Sequence, residues 1–101
     1  MSVGGGAAMI MITGRFEIDP AKRMEFLAFA RALVKHERSA KGNITFDVFE
    51  DVSAANHFLM LEQWESEEIL DQHQEGEDFD RSEAALNSFM LGEPSWDEYV
   101  F

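Results

Sequence analysis

Cysteine is absent from this chain, which rules out disulfides, a thiolate nucleophile and any Cys-based metal site. The only prolines, Pro20 and Pro94, fall where a helix is expected to start and to stop. Basic residues are scarce: eight Lys and Arg stand against twenty Asp and Glu, for a net charge of −12. Such a surface repels phosphate backbones, so nucleic acid is excluded as a partner. Long apolar runs are missing too, since Met9 to Ile12 with its flanks falls far short of the roughly 20 residues that span a bilayer. No membrane segment is expected.

Other absences narrow the chemistry. His36, His57 and His73 are scattered over three elements with no His-x-x-x-His or two-His-carboxylate spacing, so no metal site is expected. Gly4-Gly5-Gly6 has no strand before it and cannot act as a phosphate-binding loop. Residues 1–8 lack a basic segment and read as a flexible leader, not a secretory signal, which leaves the cytoplasm as the expected location. Residues 9–101 are then one domain, large enough for a single two-layer core.

What is present is dense and well punctuated. Apolar residues make up 46% of the chain, ordinary for a globular protein. Met9 to Ile18 reads as a strand with Ile10, Ile12, Phe16 and Ile18 on one face; Gly14 in its middle marks a bulge or a close approach of some other group. Asp19-Pro20 starts a helix that runs to Ala40 before Gly42, with Phe26, Leu27, Phe29, Ala30, Leu33 and Val34 as its apolar arc. Asn43 to Glu50, with Ile44, Phe46 and Val48 on one side, is a second strand, joined through Asp51 to Asn56 to a third.

The third strand begins at His57 and carries the densest apolar stretch, ending at Trp64. There the period changes. Ser66 is a good N-cap, Glu67 and Glu68 favour the positive end of a helix, and Ile69, Leu70 and His73 share one face. Glu75-Gly76-Glu77 interrupts this helix, which resumes with Phe79, Ser82, Leu86, Phe89 and Met90 until Gly92 and Pro94. Trp96 to Phe101 alternates as a terminal strand. The order is β-α-β-β-α-β with the second helix split, which predicts an α+β ferredoxin-like sandwich: an antiparallel sheet in the order 4-1-3-2 with its helices on one face.

Charge is unevenly shared. Residues 1–42 hold seven Lys and Arg and four Asp and Glu, whereas residues 43–101 hold Arg81 alone against sixteen acids. The first helix, with Lys22, Arg23, Arg31, Lys35 and Arg38, is therefore expected beside the acidic second helical segment. Met9, Met11, Thr45, Phe49, Leu59, Leu61, Tyr99 and Phe101 crowd the sheet face that no helix can cover. A homodimer stacked through that face is expected, because a soluble monomer rarely exposes such a patch.

Glu62-Gln63-Trp64-Glu65-Ser66, followed by Asp71-Gln72-His73 and Phe79, resembles the Glu-x-Trp-x-Ser…His…Phe pattern of the antibiotic biosynthesis monooxygenase family, quinol monooxygenases included. The resemblance covers roughly Met9 to the end and implies a dimeric α/β barrel. It also implies oxidation by O₂ of an electron-rich phenol, quinol or anthrone-like substrate with no cofactor. Where haem-degrading relatives carry Asn and His this chain has Gly14 and Glu83, which argues against haem chemistry. The expected site is a small aromatic-substrate pocket lined by Trp64, Phe46, Phe58, Phe26 and Phe29, with His73 as base and Arg15 or Glu62 as polar helpers. Two other readings use the same fold: a non-catalytic dimeric binding or stress-associated module, and a cofactor-free isomerase of the dimeric α/β-barrel group.

Overall fold

The computed structural model describes residues 8–101, so the expected leader lies, Ala8 apart, outside the described residues. The elements are β1 (Ile10–Ile18), a 3₁₀ turn (Pro20–Lys22), α1 (Arg23–Arg38), β2 (Asn43–Glu50), β3 (His57–Trp64), α2 (Glu67–Gln74), α3 (Glu77–Phe89) and β4 (Met90–Val100). The strands form one antiparallel sheet in the order β2-β3-β1-β4, as the pattern predicts. Asp19 accepts a hydrogen bond from the Ala21 backbone N–H at 2.9 Å, and Pro20 enters the turn where its missing N–H costs nothing.

The inward faces of the sheet and helices enclose the core. Phe16 and Ile18 of β1, Phe26, Ala30 and Leu33 of α1, Phe46, Phe58, Met60 and Leu86 form its main cluster. Phe26 sits at its middle, with its ring 4.7 Å from Phe58, 5.7 Å from Phe89 and 5.9 Å from Phe16. Each such side chain contributes about 1.5–3 kcal/mol by leaving water. Ile10, Trp64 and Leu70 make a smaller cluster where β1 and β3 meet α2.

Two glycines are occupied by side chains of other elements. A Cβ on Gly14 would lie 2.2 Å from the Trp96 ring, its partner across β1 and β4, so the close approach expected there is an indole laid over the backbone. Gly42, at φ +80°, has Ile69 of α2 lodged against it, and a Cβ there would come within 2.4 Å of that side chain. The Gly42 carbonyl accepts from the Glu65 N–H at 2.9 Å, which ties the turn before β2 to the start of α2.

Three expectations are corrected. Ile44 does not join Phe46 and Val48 in the core; a bulge pairs Asn43 with Trp64 and Thr45 with Gln63, leaving Ile44 between them and 48% exposed. Gly92 and Pro94 do not stop the last helix. It ends at Phe89, and β4 begins at once with Met90 against Ile18, so those two residues lie in a bulge between Leu91 and Ser95, with Gly92 at φ +70°. No Lys or Arg among the described residues of α1 pairs with an acid of α2 or α3, although Lys22 just before it donates to the Ser88 carbonyl of α3 at 3.0 Å. Arg23 forks onto Glu50 at 2.5 and 2.8 Å and Arg38 reaches Asp47 at 2.7 Å, because β2 runs nearer to that flank of α1. The Arg23 guanidinium holds the Glu50 carboxyl down at about 2.

On the other sheet face Met11, Leu59 and Leu61 are half-buried, while Phe49, Tyr99 and Phe101 are 52%, 45% and 64% exposed. Among the described residues nothing covers this face. No helix of the described residues is long and apolar enough to cross a membrane.

Candidate active site

The site lies at the end of the core where the apolar pattern of α1 breaks. Phe26, Ala30 and Leu33 continue along one helical stripe to Glu37, so the helical period carries a carboxylate inward, where it is only 4% exposed. From the opposite side α2 delivers His73. The Ser66 hydroxyl accepts from the Ile69 N–H at 3.2 Å, Glu67 and Glu68 occupy the first turn, and Leu70 buries itself, which turns His73 toward the sheet. β3 supplies Glu62 and Trp64, two residues apart and hence on one face.

These side chains touch. The Trp64 ring lies 4.6 Å from the His73 ring, and its Nε1–H donates to Glu62 Oε1 at 2.9 Å. Phe79 meets the His73 ring edge to face at 6.3 Å. His73 Nε2 is 2.7 Å from Glu37 Oε2, close enough for an ion pair when the imidazole is protonated. Glu37 Oε2 is thus buried, with the histidine ring as its neighbour.

Burial pushes the Glu62 carboxyl up from its ordinary 4.5 to about 7; the Trp64 hydrogen bond pulls it back and the Glu37 charge pushes it further up. Near neutral pH Glu62 is therefore present in both forms, able to donate or to accept a proton. His73, Glu37 and Glu62 line a cavity of about 680 Å³ between the sheet, α1 and α3, with Phe46, Met60, Phe79 and Trp96 among its apolar walls. That is ample for a substrate of one or a few rings. Among the described residues no group of three or more His, Asp or Glu is set to hold a metal ion.

Of the residues proposed from sequence, His73, Glu62 and Phe46 reach this cavity. Trp64 does not form its wall. It is fully buried behind Glu62 and His73, so its ring leaves no face for a substrate to stack on. Arg15 is exposed on the opposite sheet face, in register with Leu59, because it alternates with the inward-facing Gly14 and Phe16. Phe26 and Phe58 fill the main core, and Phe29 packs on Phe26 and Phe89, so none of the three lines the cavity. A second depression of about 500 Å³ reaches Phe26 and Phe58 from the far flank of α1.

Glu37 is the residue that sequence reasoning missed. Its signal was present: a charged residue falls at the next position of the stripe set by Phe26, Ala30 and Leu33, where a leucine is expected. Trp96 was placed on the last strand but not at the site, since only the pairing of β4 with β1 sets it over Gly14 and the cavity mouth.

Comparison with known proteins agrees with this architecture. The chain is 42% identical to YcnE of Bacillus subtilis over 67 residues, 66% of this chain and 70% of YcnE. It is 32% identical to the Synechocystis protein sll1783 over 71 residues, which is 70% of this chain but about half (48%) of that protein. In fold it superposes on a conserved protein of Methanosarcina mazei with a TM-score of 0.83 at 24% identity, covering 91% of each chain. PA3566 of Pseudomonas aeruginosa gives a TM-score of 0.80 at 22% identity, over 97% of this chain and 98% of that one. The sequence profile described as antibiotic biosynthesis monooxygenase matches residues 9–85, and the chain belongs to that family.

Proposed function

We propose that this protein is a cofactor-independent monooxygenase that oxidises an electron-rich phenol, quinol or anthrone-like substrate with O₂. The observation that carries the reading is the convergence of His73, Glu37 and Glu62 on one apolar-walled cavity. The substrate lies against Phe46, Met60 and Phe79 with its hydroxyl toward His73. The His73–Glu37 pair takes its proton, the carboxylate stabilising the imidazolium that forms, much as a buried carboxylate does behind other catalytic histidines. Protonated Glu62 donates a hydrogen bond to the developing substrate oxyanion.

The resulting carbanion-like anion passes an electron to O₂, and recombination gives a hydroperoxide at the ring carbon. Loss of water leaves one oxygen atom on the product as a carbonyl and releases the other in the water. Trp64 is a positioning residue here, holding the His73 ring by a tilted ring contact and Glu62 by its N–H. The reading includes a homodimer through the uncovered sheet face, supported by the exposed Phe49, Tyr99 and Phe101, and a cytoplasmic location.

The deciding measurement is O₂ uptake by the pure protein with a panel of quinols and anthrones. Uptake with product carrying one atom of ¹⁸O from ¹⁸O₂ supports the reading. Proton exchange or isomerisation of the same compounds without uptake would favour the isomerase, which uses the same acid and base, and the oxygenase assignment would fall.

A further inference from the structure

The cavity has an aromatic wall that the reading above leaves unused. Trp96 lines it, is 45% exposed, and among the described residues its indole pairs with no other aromatic ring. Trp64 differs on each count, being buried and already set against His73. What seats Trp96 is Gly14, its partner across β1 and β4. The indole atoms Cζ3, Cε3 and Cη2 come within 2.7 Å of the place that a Cβ on Gly14 would take, so the absent side chain is what lets the ring lean inward from β4 over β1. An indole held in that position keeps a large apolar surface in water, and a ligand that covers it gains the burial.

The sheet sets how far this ring lies from the polar end of the cavity. Glu62 is in register with Ile12, two residues from Gly14 on the neighbouring strand, so the seat of the indole is about 8 Å from Glu62 across the sheet. A single ring whose hydroxyl meets His73 and Glu62 stops short of the indole, and a second fused ring reaches it. We infer that Trp96, seated on Gly14, is the aromatic platform of this site and determines its specificity, favouring substrates whose hydroxylated ring is fused to a second aromatic ring. A flat aromatic ring stacks on the indole, whereas a saturated ring of similar outline gains only the burial. The inference rests on the proposed cavity being the substrate site, but not on the reaction that takes place there.

The test is an anaerobic calorimetric titration near neutral pH with 1-naphthol and 5,6,7,8-tetrahydro-1-naphthol, which share the hydroxylated ring and differ in whether the second ring is aromatic, and with phenol, which lacks that ring. The unaltered protein is expected to bind 1-naphthol about three- to tenfold more tightly than the tetrahydro compound. Trp96→Leu, which keeps an apolar side chain without a ring, should bring the two affinities together and leave that for phenol within about twofold. Gly14→Ala, which displaces the indole, should narrow the preference as well. Should these variants fold poorly, the unaltered protein still decides: 1-naphthol should move the Trp96 indole proton resonances by its ring current, and the tetrahydro compound should move them less. Equal affinities on the unaltered protein, a preference that survives Trp96→Leu, unmoved Trp96 resonances, or no binding of either naphthol would overturn the inference. O₂ uptake is measured separately, so an inert protein that keeps the preference would refute the monooxygenase reading and leave this one standing, while O₂ uptake without the preference would sink this one alone.

Discussion

One helical stripe of α1 ends in two different environments. Around Phe26 the space between sheet and helices is closed by aromatic rings from β1, β3 and α3. Around Glu37, further along the same stripe, the space is open and its walls carry a histidine and a second carboxylate. Both regions follow the same rule of helical spacing, yet one stabilises the fold and the other costs it stability. A carboxylate buried against a histidine and a carboxyl pushed to about 7 are features that a core selected for stability alone would not keep. The most aromatic region of this protein is therefore its core, and the candidate site lies where that pattern is interrupted.

The largest expected effect is on the closed side. Phe26→Ala should destabilise the protein by about 3–5 kcal/mol, read as a shift of the urea midpoint at unchanged slope, because the rings around it cannot collapse into the space. A loss below about 1 kcal/mol would mean that the two regions do not differ as argued.

Next comes the pH dependence of the open side. The Glu62 carboxyl is raised in the folded protein, so the native state holds a proton that the unfolded chain releases above its ordinary 4.5. Stability attributable to Glu62 should then fall as pH rises from about 4.5 to about 7 and stay low above that, a penalty on the order of 3 kcal/mol. Glu62→Gln keeps an acceptor for the Trp64 N–H and should be the more stable protein at pH 8, with the advantage gone at pH 4. Glu50 has the opposite sign, lending stability at neutral pH that is lost as pH falls toward about 2, so the comparison of variants at each pH isolates Glu62.

Catalytic effects are smaller in free energy but more selective. With a confirmed substrate, His73→Ala should lower kcat by about 100-fold or more, equivalent to about 2.7 kcal/mol, while leaving the protein folded. Full turnover in that variant would remove the base assignment. Trp64→Phe should lower kcat by about tenfold with little change in KM, since the indole touches His73 and Glu62 and not the cavity. A variant that raised KM alone would instead put the indole against the substrate.

Much of the fold was legible because local signals and global pattern agree. Asp19-Pro20, Ser66 and the alternation of β1 and β3 each predict an element boundary or a face that is observed. Where sequence reasoning failed, pairing decided the outcome. Ile44 is apolar and in phase with Phe46, but a bulge that no single strand announces turns it outward. Gly92 and Pro94 look like a helix stop from one strand's viewpoint and form a bulge in β4 only because β1 is there to pair with it. For the site, the motif around Trp64 pointed to β3 and α2, and His73 does line the cavity between sheet and helices. Arg15 lies on the sheet face away from the cavity because the strand has two faces, and Glu37 was passed over because an acid inside an apolar stripe reads as an error in the pattern.

Gly42 bears on how this protein would tolerate change. Its backbone is in the left-handed region and Ile69 fills the space where a side chain would go, so every substitution meets both strain and a clash. Alanine there must either push Ile69 away or shift the start of α2, and α2 carries His73. In a saturation screen for activity, position 42 is expected to score as intolerant as the proposed base, although it does not line the cavity and holds no functional group. A second-site search from a Gly42→Ala loss should return smaller residues at position 69, and that compensation would separate a steric keystone from a chemical one.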